Sequence, residues 1–128
     1  MTHILLITHG NLGQVLLEVA TKMVGQKQNL EALSFDGDVD AFGQRLNQKM
    51  ASFSPADSIL ILTDLFGGTP SNLAIPHLAK GRVEVITGLN LGILLHLIAQ
   101  PPAKPFAELC LGAKKAGLES VLVAGEFL

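Results

Sequence analysis

The stretch His3-Ile4-Leu5-Leu6-Ile7-Thr8-His9-Gly10 decides how the rest of the chain is read. Four large aliphatic residues in succession, without alternation, describe a strand buried on both faces. Such strands belong to parallel sheets covered by helices on each side. The run ends in Thr8, His9 and a glycine, so polar groups arrive where the strand stops. The pattern returns at Ser58 to Thr63 (SILILT), which ends at Asp64 and a glycine-bearing loop, Leu65-Phe66-Gly67-Gly68-Thr69-Pro70. It returns again at Arg82 to Thr87 (RVEVIT), followed by Gly88-Leu89-Asn90. Leu30 to Phe35 (LEALSF) alternates and supplies another strand.

Helical spacing fills the intervals. Leu12, Val15, Leu16, Val19 and Met23 recur as on one helix, which Gly25 stops. Asp38 is placed to cap a helix carrying Val39, Phe42, Leu46 and Met50. Pro70 suits the first turn of a helix with Leu73, Ala74 and Leu78, which Pro76 bends or shortens. Leu91 to Ala99 follows Asn90 as a helix. Pro105 to Ala116 forms another, with Phe106, Leu109, Cys110 and Ala113 on one face and Gly117 as its end. Val121 to Phe127 (VLVAGEF) reads as a last strand. The order β-α-β-α-β-α-β-α-α-β predicts an α/β three-layer sandwich around a mostly parallel sheet, with right-handed crossovers. The expected strand order is 2-1-3-4. With 128 residues, no repeat and no linker, residues 1–128 read as one domain.

Composition removes several classes of function. Hydrophobic residues are 48%, charged residues 16%, and mean hydropathy is +0.43, which no disordered chain shows. Six Phe with no Trp or Tyr leave few rings for stacking bases. A net charge of −2 gives no footprint for nucleic acid. One cysteine, Cys110, makes neither an internal disulfide nor a multi-thiolate metal site, and its place on an apolar helix face reads as core. The N-terminus lacks the basic and small-residue features of a secretory signal. Val85 to Ala103 has no charged residue, but its polar residues, glycines and closing Pro101-Pro102 break it into a strand, a turn and a helix. The expected location is the cytoplasm.

In open α/β sheets ligands bind beyond the carboxyl ends of the strands, at the switch in strand order. For order 2-1-3-4 the switch lies between the first and third strands, which sets His9 beside Asp64. A carboxylate on one ring nitrogen fixes the tautomer and leaves the other nitrogen's lone pair outward, an arrangement for nucleophilic or acid–base work. No G-x-S-x-G elbow extends the pair into a hydrolase triad. His3, His77 and His96 read as structural. Gly67-Gly68-Thr69-Pro70-Ser71, at the start of a helix, resembles an anion cradle, to which Gly10 adds. Neither segment is a Walker A or dinucleotide motif. Asp64, the Gly-Gly-Thr-Pro turn and Asn90 also suit simple turn and cap roles, and Phe66 and Asn90 are candidate walls of the site. No third metal ligand joins His9 and Asp64 in the sequence pattern, so neither metal nor cofactor is expected.

At Thr8-His9-Gly10, Thr63-Asp64-Leu65-Phe66-Gly67-Gly68-Thr69-Pro70 and Gly88-Leu89-Asn90 together, the sequence resembles the enzyme IIA component of the mannose-type bacterial phosphotransferase system. The likeness runs from Met1 nearly to the C-terminus. It implies a phosphohistidine carrier that takes a phosphoryl group from HPr and gives it to a IIB partner serving a sugar permease. The phosphorylated histidine falls on His9, its aspartate partner on Asp64 and the hydroxyl residue near the phosphoryl oxygens on Thr69. The resemblance also implies attachment at Nε2, a homodimer, and an antiparallel C-terminal edge strand matching Val121 to Phe127. The sequence ends at Leu128 without a fused IIB domain, which leaves other readings open: a regulatory phosphorelay protein, the phosphotransfer subunit of a dihydroxyacetone kinase system, or an anion- or nucleotide-binding protein of flavodoxin-like shape.

Overall fold

The computed structural model describes residues Met1–Leu128. Strand β1 (Thr2–His9) leads through helix α1 (Leu12–Val24) to β2 (Leu30–Phe35), α2 (Val39–Ser52) and β3 (Ser58–Thr63). Helix α3 (Thr69–Ala74), a 3-10 turn (Ile75–His77), β4 (Val83–Thr87), α4 (Leu91–Ala99) and α5 (Phe106–Glu119) follow. The four strands form one parallel sheet in the order β2-β1-β3-β4.

The uninterrupted apolar runs have a direct explanation. Ile4 and Leu6 of β1, with Leu60 and Leu62 of β3, point into one core layer against Ala20 of α1, Ile93, Leu94 and Leu97 of α4, and Leu109 and Ala113 of α5. Their neighbours Leu5, Ile7, Ile59 and Ile61 point the other way, against Phe42, Leu46 and Met50 of α2 and Ala74 of α3. The middle strands therefore need a large aliphatic residue at nearly every position. Each such side chain fully removed from water contributes about 1.5–3 kcal/mol.

Local signals set the helix ends. Asp38 accepts a hydrogen bond from the Ala41 N–H at 3.0 Å and caps α2, and Asn90 accepts one from Ile93 N–H at 3.0 Å and caps α4. Pro76 limits α3 to six residues before the 3-10 turn. Lys27 Nζ donates to the carbonyls of Leu97 and Gln100 at 3.1 and 2.8 Å, placing a cation at the C-terminus of α4. Burial pushes its pKa down. No helix is long and apolar enough to cross a membrane.

Three expectations require correction. Val121 to Phe127 is not a fifth strand. The sheet ends at β4, and Ala124–Phe127 forms a 3-10 turn held by local bonds such as Glu126 N–H to Val123 O at 3.0 Å. A strand needs a neighbouring edge along its length, and after α5 this segment meets none within the chain, so its apolar side chains stand exposed. Helix α5 does not end at Gly117 but runs to Glu119. Gly117 is buried there because a Cβ would lie 2.8 Å from Ile93 Cδ1, so the glycine permits close helix packing. In α1, Leu12, Val15, Val19 and Met23 face solvent, while Gly13 and Ala20 are buried and Leu16 and Leu17 pack against the core. The helix lies close to the sheet, so small residues take its fully buried positions and Leu16 and Leu17 pack at their sides.

Cys110 is half-buried, and burial together with the Glu84 charge pushes its thiol up to about 11. At the amino end of the sheet, His3 Nε2 pairs with Asp57 Oδ2 at 2.8 Å, and the His3 ring lies 4.3 Å from that of Phe53. The His3 hydrogen bond holds the Asp57 carboxyl below its usual range. His77 pairs with Asn47 Oδ1 at 3.0 Å, and burial lowers its pKa. Leu94 is fully buried between α4 and the sheet. Leu94→Ala is expected to lower stability by about 2–5 kcal/mol in urea titrations followed by circular dichroism, with the fold retained.

Candidate functional site

The two inner strands of the sheet, β1 and β3, end side by side. Ile7 pairs with Thr63 in register, so the next residues of β1 stand against the start of the β3–α3 loop. His9 closes β1 and Asp64 follows β3. The Asp64 Oδ2 atom lies 3.0 Å from His9 Nδ1 and also accepts the His9 backbone N–H at 3.1 Å. With Asp64 ionised, Nδ1 is the donor and Nε2 carries the lone pair. The His9 side chain is 45% exposed and that of Asp64 11%. The ring is therefore reachable while its carboxylate partner is shielded. Asp64 Oδ1 is buried without a hydrogen-bond partner.

Other side chains complete the setting of the ring. Phe35, paired with His9 in the β1–β2 register, meets the imidazole edge-on at 5.9 Å between centroids. Phe42 meets Phe35 at 5.5 Å in the same manner. Gly68 presses on the opposite chemistry: a Cβ there would lie 2.6 Å from His9 Cε1 and 3.2 Å from Nε2. Only a glycine leaves the ring its place. Gly10 and Gly67 turn the chain with φ of +53° and +85°, a left-handed conformation that glycine adopts without strain.

The expected cradle is assembled only in part. Gly68, the residue before α3, stands against His9, with Gly67 and Thr69 on either side of it in the chain. The Gly10 N–H, however, is occupied by the Phe35 carbonyl at 2.8 Å. Ser71, expected among the anion-binding residues, is fully buried. Its hydroxyl donates to Leu65 O at 2.5 Å and lies 2.6 Å from Thr63 Oγ1. The first turn of α3 rotates Ser71 inward, so the structure does not bring its hydroxyl to the site. Asn90 serves as the α4 cap and accepts from Ser120 Oγ at 3.2 Å, beyond β3 from His9. Phe66 is 74% exposed, and with Leu65 it gives the loop beside His9 an apolar tip.

Two contributors escaped the sequence reading. Phe35 was visible as the end of the second strand, and its role follows once β2 is placed next to β1. Thr8 was quoted only as the residue before His9. Its Oγ1 accepts the Gly13 N–H at 2.8 Å and ties α1 to the end of β1.

A cavity of about 440 Å³, lined by Thr2, Lys27 and Lys104 among others, lies at the amino end of the sheet. His9 and Asp64 line none of the larger cavities. The pair sits on an open surface, with no group of three or more His, Cys, Asp or Glu that could hold a metal ion. Such an arrangement suits a small group delivered to an oriented nucleophilic nitrogen.

Known proteins resemble this chain in sequence and in fold. The chain is 28% identical over 131 residues to the PTS system fructose-specific EIIA component of Bacillus subtilis, covering 100% of this chain and 90% of that protein. It is 30% identical over 118 residues to the PTS system mannose-specific EIIAB component of Escherichia coli K12, covering 89% of this chain but only 36% of that protein. Among solved structures, a putative PTS permease from Klebsiella pneumoniae superposes with a TM-score of 0.88 at 21% identity, covering 98% of this chain and 93% of that one. The PTS IIA protein associated with the fucose utilization operon of Streptococcus pneumoniae gives 0.83 at 24% identity, covering 98% and 94%. At these identities the superpositions speak for the fold alone. Residues 3–110 match the family described as PTS system fructose IIA component, and the chain belongs to this mannose-type family of phosphotransferase-system IIA components.

Proposed function

We propose that the protein carries a phosphoryl group on His9, accepting it from the histidine of HPr and passing it to a IIB-type acceptor in sugar uptake. The observation that carries this reading is the His9 ring, with Nδ1 on Asp64 and the Nε2 edge open to an approaching partner. A phosphoryl group on Nε2 adds about −1.5 to −2 charge. Asp64 bonds the far side of the ring, so the imidazole separates the two anions. The Asp64 carboxylate then stabilises the positive charge that grows on the ring as the new bond forms. Thr69 and the Gly67 N–H are the proposed partners of the phosphoryl oxygens, joined by the Gly68 N–H once it leaves its long 3.4 Å bond to Leu65 O.

Transfer is in-line displacement between two histidines, so positioning and charge stabilisation account for the catalysis. The sugar makes no demand on this site, because the carrier meets only a phosphoryl group and protein surfaces. Exchange with HPr places the proposed work in the cytoplasm. We also assign a homodimer. No strand pairs with the outer edge of β4, where only Val83 bridges to Ala79, and Val121, Leu122, Val123, Phe127 and Leu128 are exposed. A second copy is the proposed cover for these apolar residues.

Incubation with phosphoenolpyruvate, enzyme I and HPr should place acid-labile phosphate on the protein. His9→Ala should take up none, and label persisting in that variant would overturn the reading. Asp64→Asn should keep its fold and accept phosphate about 10²-fold more slowly in rapid-quench measurements. Gly68→Ala should displace the imidazole and slow acceptance by about tenfold or more, whereas Gly125→Ala, with open space around it, should not. Sedimentation velocity should give twice the 13.5 kDa chain mass. Removal of residues 121–128 should yield the single-chain mass, and a full-length protein that sediments as one chain would exclude the dimer.

A further inference from the structure

We propose that buried hydroxyl braces, Thr8 on one strand and the Thr63–Ser71 pair on the other, are positioning elements for the His9–Asp64 pair. The proposal rests on the carrier reading only for its kinetic consequence. The braces themselves are read from burial and bonding.

Thr8, Thr63 and Ser71 are the only polar or charged side chains among the buried residues, and all three are fully buried. A hydroxyl taken from water is unfavourable unless bonded, and valine would fill a threonine's space in an apolar core. These hydroxyls are bonded, and the bonds converge on the turns around the site. Thr8 immediately precedes His9. Its Oγ1 accepts the Gly13 N–H at 2.8 Å and donates to Gly10 O at 3.4 Å. This closes the turn after His9 and anchors the first turn of α1. A Cβ on Gly13 would lie 3.1 Å from Thr8 Oγ1, so the contact is close.

Thr63 immediately precedes Asp64 and forms the second brace. Ser71 donates to Leu65 O, so the proton between the two hydroxyls comes from Thr63. The chain Thr63 O–H to Ser71 O–H to Leu65 C=O spans both sides of Asp64. Each brace thus reaches from the residue before the pair to the carbonyl of the residue after it.

Two consequences follow. The buried Asp64 Oδ1 has no donor, yet Oδ2 takes both His9 N–H groups. A carboxylate free to turn would share its donors between the two oxygens. With residues 63 and 65 clamped, it presents one oxygen to the ring. The same link fixes α3 to the end of β3, and α3 carries Gly68 at its start, against His9 Cε1 and Nε2. The Thr63–Ser71 bond therefore sets how closely the loop approaches the atom that would bear the phosphoryl group. None of the three hydroxyls touches that group; they act through His9 and Asp64.

The test compares Thr8→Val and Thr63→Val with Thr8→Ser and Thr63→Ser in the full chain. Long-range ¹⁵N–¹H NMR reads the tautomer of His9, and rapid quench with phosphorylated HPr reads acceptance. The valine variants should show the Nε2–H tautomer mixed into a parent that holds Nδ1–H. Their acceptance rate at saturating HPr should fall tenfold or more, with the half-saturating HPr concentration within twofold of the parent. The serine variants should recover both. Valine variants with the parent's tautomer and rate would overturn the proposal, as would serine variants as impaired as valine. Should a valine variant fail to fold, Ser71→Ala removes the Thr63 link from the helix side, and Thr8→Ala removes the Thr8 hydroxyl without adding bulk. An unchanged tautomer in these would overturn the corresponding brace. A tautomer change in a protein whose parent accepts no phosphate would refute the carrier reading while supporting the braces.

Discussion

The parallel pairing of β1 with β3 is the constraint on which everything else depends. These two strands are neighbours in the sheet but not in the chain, so the order reverses between them. The loops that leave their carboxyl ends run to helices on opposite faces: α1 lies over the layer of Leu6 and Leu62, α3 over that of Ile7 and Ile61. The two connections part there and leave a shallow, open gap at the strand ends. The Ile7–Thr63 register decides what faces into it. A slip of one residue would turn every side chain of β3 to the other layer and carry Asp64 away from the His9 ring. Burial of eight large aliphatic residues on the two strands therefore defends one hydrogen bond at their ends. Stability and chemistry are specified by the same register.

Much of this was legible before any coordinates. A strand buried on both faces has no choice but to be apolar at successive positions, so Ser58–Thr63 was bounded correctly by composition alone. Helix α4 was bounded by its cap, because Asn90 has the side chain that the free N–H of Ile93 requires. The juxtaposition of His9 and Asp64 followed from strand order and needed no side-chain information. What was less legible shares one cause: it depends on which way a side chain turns within an element already identified. In α1 aliphatic residues occur on all sides, and the helix's closeness to the sheet, set by Gly13 and Ala20, selects the inward face. Ser71 has the residue type and place of an anion ligand, and its position on the buried face of α3 makes it a brace instead. The apolar run Val121-Leu122-Val123 signals a need for burial but cannot name the surface that satisfies it.

The glycines show how the site's openness and its precision coexist. His9 lies on the surface, so no deep pocket holds the ring in place. It is held by contacts from three directions: the Asp64 oxygen at Nδ1, the edge of Phe35, and the backbone of Gly68 against Cε1. The last of these contacts requires that a residue have no side chain. Gly10 and Gly67 meet a different requirement, reversing the chain at strand ends with positive φ, as Gly88 does after β4. A Cβ at these three positions would meet open space, so there the backbone conformation alone calls for glycine. A ring fixed by main chain and by neighbours behind it, rather than by walls around it, stays rigid without being enclosed. That is the condition the proposed carrier role sets for a nitrogen oriented before one partner arrives and free to meet another afterwards.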